Sequence, residues 1–271
     1  MKETYAEYFI YSFDDVSITA SSGAGTVGTY ENTSLRFDSD SQFAAQAWTF
    51  VSTDPQINVR FQETGHGRYM FDRAKQIRTV AGRPVAGSSV GLTAVESLFS
   101  PMPFLAPYIV EPATEMIMEA ADVSGSTNAL RMAWHGSKLR HGPAPWNKPW
   151  RDRYQFQYGD QVVVGASAVV PITININQDA HFLIRAITAV RTGAAAVVVT
   201  DGANDKKWHN TTNTTGGGVH IDNLAGSANA PNVLPAPRLI ERGTGVTFTI
   251  TDLSASSNTV AITLLGEKLF E

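Results

Sequence analysis

The sequence contains no cysteine among its 271 residues. This absence excludes disulfides, thiolate-ligated zinc and cysteine nucleophiles together, and it fits either a reducing compartment or a protein that needs no covalent cross-links. Charge is also sparse, since 17% of residues are charged and the formal net charge is −4. The sequence has neither the excess of basic residues that is typical of nucleic-acid-binding proteins nor an acidic tail that would act as a solvating segment.

Long hydrophobic runs are missing as well. No stretch reaches the roughly 18 apolar residues of a membrane span, and the first residues, MKETYAEYFIYSF, lack the apolar core and small-residue cleavage site of a secretory signal. We therefore expect a protein that stays in the cytoplasm in which it is made and makes no contact with a membrane.

Helical patterns are scarce, and GLTAVESLF (91–99) is the one candidate for a short helix. Alternating or β-branched runs recur instead, separated by turns rich in Gly, Ser, Asn and Asp. These runs are VSITA (16–20), INVRF (57–61), MIMEA (116–120), VVPITININ (169–177), AAVVVT (195–200), VTFTI (246–250) and TVAITLL (259–265). Many short strands of this kind predict an all-β protein built from antiparallel sandwiches.

An internal repeat relates residues 107–139 to residues 237–269. Both segments end in the pattern G-x-K-L, as HGSKL (135–139) and LGEKL (265–269), and both contain a similar loop, DVSGSTN and DLSASSN. Identical residues fall at Pro107/Pro237, Glu111/Glu241, Thr114/Thr244, Asp122/Asp252, Ser124/Ser254, Ser126/Ser256, Asn128/Asn258, Gly136/Gly266, Lys138/Lys268 and Leu139/Leu269. Recurrent turn chemistry alone could produce some of these matches.

A second block in the same order favours duplication over convergence. FAAQAWTFV (43–51) matches FLIRAITAV (182–190), and at the same spacing Arg68-Tyr69 lies over Lys207-Trp208. The sequence therefore predicts two tandem antiparallel β-sandwich domains from an internal duplication, each the size of a jelly roll. The predicted boundaries are 1–140 for the first copy, 141–151 for a linker rich in proline and tryptophan, and 152–271 for the second copy.

Catalytic and metal-binding patterns are not found. The histidines form no H-x-x-x-H pair, and no nucleophile elbow or phosphate-binding loop occurs. A cupin-like metal site from His181, His209 and His220 is conceivable, but the compact H-x-H with a following Glu is missing. Asp122 and Asp252 open matched loops, which fits turn formation better than acid–base catalysis. We predict no enzyme activity, no catalytic residues, no metal and no cofactor.

A basic cluster with interleaved aromatic residues surrounds the predicted linker. It includes Arg140, His141, Trp146, Lys148, Trp150 and Arg151, which we take as candidate partner-contact residues. Such a cluster is compatible with a solvated or domain-docking face, with contact to an acidic protein partner, and with single-stranded nucleic acid. We expect no nucleic-acid partner, because acidic residues elsewhere compensate the charge.

A family resemblance arises in the closing strands of the second copy. The segment PRLIERGTGVTFTITDLSASSNTVAITLLGEKL (237–269) resembles the last strands of β-sandwich virion proteins of tailed bacteriophages, and DAHFLIRAI (179–187) resembles their early strand. The pattern covers about half of each copy. The first copy departs from it, with Trp134-His135 where the second has Leu264-Leu265, so the two copies need not pack alike.

The resemblance implies a structural role in a virus particle, as capsid decoration or cement protein, or as a neck or collar component. It implies binding to other virion proteins of the capsid, portal or neck, and a homo-oligomer in the assembled particle. The alternative is a tail-associated adhesin or carbohydrate-binding module with Trp208 or Tyr69 as stacking platform, although their matched positions fit a core role equally well. An enzyme of cupin-like kind is the third possibility.

Overall fold

The computed structural model describes residues 3–54, 56–65, 67–70, 75–76, 102–202, 206–212, 218–227 and 230–271. These residues form nineteen strands, a four-residue helix and a short 3-10 helix at Pro145–Asn147. The strands of the first half are β1 (Thr4–Ile18), β2 (Glu31–Arg36), β3 (Phe43–Ser52), β4 (Ile57–Glu63), β5 (Arg68–Tyr69), β6 (Lys75–Gln76), β7 (Met102–Val110), β8 (Glu115–Asp122) and β9 (Asn128–His141).

The second half adds ten strands and the helix α1. They are β10 (Asp152–Val164), β11 (Val169–Asn175), β12 (His181–Arg191), β13 (Ala195–Asp201), β14 (Lys206–Lys207), β15 (His209–Thr211), β16 (Val219–His220), α1 (Ile221–Leu224), β17 (Asn232–Ile240), β18 (Gly245–Asp252) and β19 (Asn258–Phe270).

Each half is a sandwich of two antiparallel sheets with the same strand order. In the first half, sheet A has the order β1-β9-β3-β7, to which β15 of the second half adds in parallel beside β1, and sheet B has the order β2-β8-β4-β5, with β6 also paired to β4. In the second half, sheet C has the order β10-β19-β12-β17 and sheet D the order β11-β18-β13-β14, with β16 also paired to β13. This pairing of first strand with last is the jelly-roll arrangement. The predicted all-β, jelly-roll class is confirmed.

Side-chain alternation explains why these segments form half-buried strands. Along β4 buried and partly exposed residues alternate without exception, and β17 does the same over its whole length. Proline occurs in β7, β11 and β17, and each of these strands lies at the end of its sheet order, where a missing N–H breaks no ladder. All seven sequence-predicted strand segments overlap observed strands. The predicted helix at 91–99 lies outside the described residues.

The two halves repeat individual contacts as well as strand order. A Cβ added to Gly136 would lie 2.2 Å from the Ala44 carbonyl oxygen, and one added to Gly266 would lie 2.1 Å from the Leu183 carbonyl oxygen. These glycines therefore let neighbouring strands approach at the same point in both sandwiches. Next to each glycine a buried lysine lies over an aromatic ring, Lys138 over Phe9 at 4.1 Å and Lys268 over Phe156 at 4.5 Å. Common ancestry of the halves stays a prediction, which these repeated contacts support.

The matched loops predicted from the sequence are held by a buried carboxylate. Asp122 accepts hydrogen bonds from the backbone N–H groups of Ser21, Ser124 and Gly125 and from the side chains of Ser124 and Asn128. Burial by itself would raise the pKa of Asp122, but these donors hold it well below its usual value. The carboxylate therefore works as a loop anchor.

Loss of this anchor is expected to destabilise the first half strongly. We predict that Asp122→Ala lowers the free energy of unfolding by about 3 kcal/mol, because several buried donors lose a charged acceptor. Asp252→Ala should cost less, since three hydrogen bonds of 3.1 Å or shorter reach Asp252, from Ser167 and Ser254, whereas five reach Asp122. Urea unfolding measures both, with the exposed Asp160→Ala as control. Equal effects of Asp122→Ala and the control would contradict the assignment.

Two hydrophobic cores fill the sandwiches, and one of them draws residues from both halves. The first core contains an aromatic cluster in which Trp48 and Phe61 lie 5.5 and 5.2 Å from the ring of Trp134. The second core lies inside the second sandwich but also includes Tyr8, Ile10 and Ala133 of the first half. The halves are therefore packed against each other, and the linker is not their sole connection.

Candidate interaction surfaces

The first strand is buried on both faces, and this fixes how the halves meet. Phe9, Tyr11 and Phe13 of β1 point into the first core, whereas Tyr8 and Ile10 point into the second. We call the outer side of sheet A, defined by Tyr8, Ile10, Ser12, Ala133 and His135, the sealed face. Each of these five residues is at most 1% exposed.

The second half covers the sealed face with one end of its sandwich, formed by β17 of sheet C and by the residue that follows β14 of sheet D. We call this end the sealed side and define it by Trp208, Leu234 and Arg238, which are at most 6% exposed. Strand β15 adds to sheet A next to β1 in parallel, with the Ile10 N–H donating to the Trp208 carbonyl at 3.0 Å. The Asn232 side chain donates to the Tyr8 hydroxyl, at 3.4 Å. Backbone and side-chain bonds therefore join the halves.

Arg238 is the central charged group of this junction. Its guanidinium donates to Asp201 at 2.8 Å and to the Tyr8 carbonyl at 3.1 Å, and it lies 3.6 Å from Glu7. The same group lies over the Trp208 ring at 4.9 Å. The side chain is 2% exposed, so its charge depends on these partners rather than on water.

Two buried histidines lie at the junction. His135 contacts the Tyr8 hydroxyl at 3.1 Å and the Thr49 hydroxyl at 2.8 Å, and burial lowers its pKa to about 3. His209 accepts from the Val199 N–H, and burial, with a smaller effect of the Lys207 charge, lowers its pKa to about 4. Both histidines are neutral in the folded protein at neutral pH.

We predict from these two histidines that mild acid destabilises the protein. The unfolded chain binds protons near pH 6.5, whereas the folded chain does so only at the depressed pKa values, so stability falls as pH drops between these limits. We predict a slope of up to about 1.4 kcal/mol per pH unit for each histidine. Urea unfolding from about pH 7 to pH 4.5 should show a shallower loss in His209→Gln. An unchanged slope would contradict this assignment.

Some of the predicted partner-contact residues contact other side chains of the protein, and the others are exposed. Trp146 contacts Tyr5 of the first half edge-on, with ring centroids 5.6 Å apart, and Trp150 contacts His181 of the second half at 5.3 Å. The Trp150 indole N–H also donates to the Trp146 carbonyl at 2.9 Å. The linker segment between β9 and β10 is thus held against both halves.

The remaining predicted residues lie on either side of this segment. Arg140 donates to Asp40 at 2.6 Å and contacts Glu7 at 3.4 Å. Although burial opposes it, hydrogen bonds from Arg140 and Lys138 lower the pKa of Asp40 to about 2. His141, Lys148 and Arg151 are exposed. The structure brings Trp146 and Trp150 together, and a partner contact by the whole set stays a prediction.

A charged groove of about 650 Å³ lies between the halves near Arg140. It is lined by Tyr5, Glu7, Phe9, Asp38, Asp40, Lys138, Arg140, Lys206, Lys207, His209, Asn210 and Arg238. Its acids pair with Lys138, Arg140 and Arg238. Sequence reasoning missed this groove, because its walls come from residues about 200 positions apart.

The counterpart of the sealed face is open in the second half. Strand register matches Tyr8, Ile10 and Ser12 of β1 with Gln155, Gln157 and Gly159 of β10, which are exposed. On this outer side of sheet C a depression of about 400 Å³ is lined by Gln155, Phe156, Gln157, Arg185, Leu265, Gly266 and Glu267. We call this surface the open face and define it by Gln155, Gln157, Leu265 and Val190.

The edge of the open face is also free among the described residues. Strand β1 lies between β9 and β15, whereas β10 is paired with β19 alone. The backbone of β10 beside Gln157 therefore corresponds to the backbone of β1 at Ile10 that β15 occupies. An unpaired strand edge can accept a strand from another chain.

The structure corrects the predicted match between Tyr69 and Trp208. Tyr69 pairs with Gln62 as Lys207 pairs with Thr200, so Tyr69 corresponds to Lys207. Trp208 corresponds instead to Met70, since their N–H groups donate to Val199 and Phe61 at matched positions. Trp208 is 0% exposed. It cannot be a stacking platform for a sugar, because its ring is sealed at the junction; Tyr69 is 41% exposed.

The remaining sequence-based sites can be placed briefly. His181 lies at the start of β12, His209 in β15 and His220 beside α1, and the described residues include no group of three His, Asp or Glu side chains able to hold a metal ion. The described part of the chain contains no helix with the length and apolar character that crossing a bilayer requires.

Comparisons with known proteins find similarity in fold alone. No family model matches the chain, and no curated protein matches it. A protein with a triple jelly-roll fold from the turret of an archaeal virus is 11% identical, with a TM-score of 0.26, and the match covers 94% of this chain and 60% of that one. A protein of Sulfolobus turreted icosahedral virus is 11% identical, with a TM-score of 0.27 and coverage of 96% and 60%.

A third similar structure is an enzyme. It is the glycosylasparaginase PNGase F of Flavobacterium meningosepticum, which is 8% identical, with a TM-score of 0.24 and coverage of 97% of this chain and 96% of that one. The chain spans 60% of the length of the two viral proteins. Similarities at these TM-scores carry no inference about activity or partners.

Proposed function

We propose that this chain is a structural protein of a tailed-bacteriophage particle that acts without catalysis, by binding neighbouring virion proteins as a capsid decoration, cement, neck or collar component. The observation that carries the proposal is the joined pair of jelly rolls, in which one outer sheet face is sealed within the chain and its counterpart is open. Such a unit offers a preformed surface to a neighbour and needs no ordering on binding.

The residues that carry the sequence resemblance support the same proposal. The segments 179–187 and 237–269 form β12, β17, β18 and β19, and three of these strands build sheet C. The resembling segments therefore contribute strands to the sheet that carries the open face, and they include Leu265 of that face. A particle that repeats its subunits by symmetry can use such a face many times, and each contact adds stability through mass action.

Quantitative mass spectrometry tests the proposal on purified particles of the virus that encodes the chain. We expect the protein in the particle, at a copy number comparable to the major shell protein for decoration, or matching a single ring for the neck. Absence from purified particles, with the protein present in the infected lysate, would end the proposal. Immunogold labelling of the same particles then assigns the position on head, neck or tail.

The carbohydrate-binding alternative now depends on Tyr69, whose ring lies 5.0 Å from the Arg60 guanidinium. An exposed ring can stack on a sugar. Glycan-array binding that is lost in Tyr69→Ala and retained in Val169→Asp, a change of another exposed residue, would favour this alternative. We expect no glycan binding above background for the wild-type protein or for either variant.

A further inference from the structure

The charged groove between the halves contains a continuous chain of ion pairs. Lys138 joins Asp38 and Asp40, with distances of 2.5 and 3.1 Å from its ammonium nitrogen to their carboxylate oxygens. Arg140 joins Asp40 and Glu7, at 2.6 and 3.4 Å. Positive and negative side chains therefore alternate along the groove, and each acid contacts at least one cation.

Both ends of this chain of ion pairs are also engaged. At one end Arg238 lies 3.6 Å from Glu7 and donates to Asp201 at 2.8 Å. At the other end the Asn210 amide donates to Asp38 at 3.0 Å. The carboxylates that line the groove are thus already paired, and a further cation at the groove needs an acid from elsewhere.

Two further cations lie at the groove outside this chain. Lys206 and Lys207 line the groove and are exposed, and within the described part of the chain neither ammonium pairs with an acid. Both belong to β14, in which Lys206 is paired with Asp201 and Lys207 with Thr200 of β13. A paired strand rather than a loop therefore positions these two side chains, so little ordering is needed on binding.

The charge balance of the groove favours a ligand with a single negative charge. The lining contains five cationic side chains and three carboxylates. Asp201, which pairs with Arg238, adds a fourth carboxylate and leaves a balance of +1. One carboxylate of a protein partner matches this balance. A nucleic-acid strand would bring several phosphates towards these acids, and like charges brought together oppose binding.

A buried hydrogen-bond donor also lies at the groove. His209 lines the groove at 3% exposure, and its Nε2 accepts from the Val199 N–H. Since the ring is neutral at neutral pH, its proton lies on Nδ1, and no described residue accepts from this N–H. Buried donors are normally paired, so a ligand with an oxygen acceptor is favoured over an apolar one.

The linker segment continues this surface with further cations. Tyr5 in the wall of the groove contacts Trp146 edge-on, with ring centroids 5.6 Å apart. Lys148 and Arg151, which follow Trp146 along the chain, are exposed. A partner that places an acidic side chain in the groove therefore meets additional positive charge nearby, which favours an acidic segment as the partner surface.

We infer that the charged groove binds an acidic side chain of a neighbouring virion protein, whose carboxylate lies against the ammonium groups of Lys206 and Lys207. This inference rests on the proposed function, because it names the chemistry by which a neighbour in the particle is recognised. The neighbour supplies the one negative charge that the groove's own acids leave unmatched. A contact between exposed charges contributes mainly to specificity and to the rate of association.

Nuclear magnetic resonance titration of the full chain tests the ligand chemistry. The probe is a short peptide with capped ends in which glycines and serines surround one glutamate, and the same peptide with glutamine is its control. The glutamate peptide should shift the amide signals of Lys206, Lys207 and His209 along a saturable curve. The glutamine peptide should bind at least about tenfold more weakly, and added salt should weaken binding of the glutamate peptide.

Removal of the two free ammonium groups locates the contact. The double variant Lys206→Gln/Lys207→Gln should bind the glutamate peptide about tenfold more weakly. Arg242→Gln is the matched control and should bind like the wild type, because Arg242 lies outside the groove and pairs with Glu271. An equal response to both peptides, or unchanged affinity in the double variant, would overturn the inference. Tighter binding of a short single-stranded oligonucleotide at the same amides would overturn it in favour of nucleic acid.

Carbodiimide cross-linking of purified particles then identifies the neighbour. The reagent joins an ammonium to a carboxylate in contact with it, so Lys206 or Lys207 should be joined to an acidic residue of another virion protein. Particles that contain the chain but give no such link would leave the virion role in place and remove the groove contact. Absence of the chain from particles, with the glutamate peptide bound in solution, would remove the role and retain the ligand chemistry of the groove.

Discussion

Alanine at Gly136 or at Gly266 should lower the free energy of unfolding by about 3 to 5 kcal/mol. A Cβ at Gly136 would lie 2.2 Å from the Ala44 carbonyl oxygen and 2.6 Å from the Phe43 ring. At Gly266 it would lie 2.1 Å from the Leu183 carbonyl oxygen. Because the obstacle is the backbone of a neighbouring strand, relief requires movement of the sheet rather than rotation of a side chain.

Urea unfolding measures this effect, with Gly65→Ala as the control. Gly65 is exposed, has no heavy atom within 4 Å of an added Cβ, and its change should alter stability by less than about 0.5 kcal/mol. Both core glycines should behave alike, because each lies next to a register shift at the same point of sheets A and C. Tolerance of alanine at either position would contradict the close strand approach.

Removal of the Arg238 guanidinium should have a similarly large effect on the junction. Arg238→Ala leaves Asp201 without its buried cation and the Tyr8 carbonyl without a donor, and we expect a loss of about 3 to 5 kcal/mol. The Ile10 amide should also lose protection against hydrogen exchange, because it is bonded to the chain segment that Arg238 holds.

A double variant separates charge from packing at this site. Arg238→Met combined with Asp201→Asn removes both charges, and it should recover a large part of the loss, since the uncompensated buried charge is the main penalty. Arg242→Ala is the matched control, because Arg242 is half-exposed and pairs with Glu271 at 3.2 Å. Arg242→Ala should lower the free energy of unfolding by less than about 1 kcal/mol. Equal effects at both arginines would contradict a buried junction.

The strands could be predicted from the sequence because their alternation is local. INVRF and VTFTI alternate with period two, and they form β4 and β18. The jelly-roll class was predicted from the internal repeat, the size of each copy and the number of strands, whereas the strand order is known from the structure. The glycine of the repeated G-x-K-L pattern is explained by the same close approach of a neighbouring strand at Gly136 and at Gly266.

The junction between the halves was not predicted, although the sequence contains a signal for it. Strand β1 reads YFIYSF from Tyr8 to Phe13, a nearly continuous apolar run that is typical of a strand buried on both faces. The matched part of β10 reads QFQYGD from Gln155 to Asp160, with alternating polar positions. Comparison of the two copies would have indicated that one outer face is covered and the other is open.

Other features depended on contacts between residues far apart in sequence. Trp208 is buried in a core that also contains Tyr8 and Ile10 of the first half, an arrangement that no local pattern encodes. Trp208 corresponds to Met70 rather than to Tyr69 because the two copies differ by one residue in the distance along the chain between β3 and β4, or their counterparts β12 and β13. The departure at His135 is explained by the same junction, because His135 belongs to the sealed face whereas Leu265 lines the open one. Trp134 packs into the first core instead.

Amide hydrogen exchange at matched positions of β1 and β10 tests the central claim most directly. The claim is that the second sandwich seals the outer face and edge of sheet A while the equivalent sheet C remains open. In dilute, monomeric protein we predict slow exchange at Ile10, whose N–H donates to Trp208, and fast exchange at Gln157 on the free edge of β10. Equal protection at the two amides, or faster exchange at Ile10, would contradict the account.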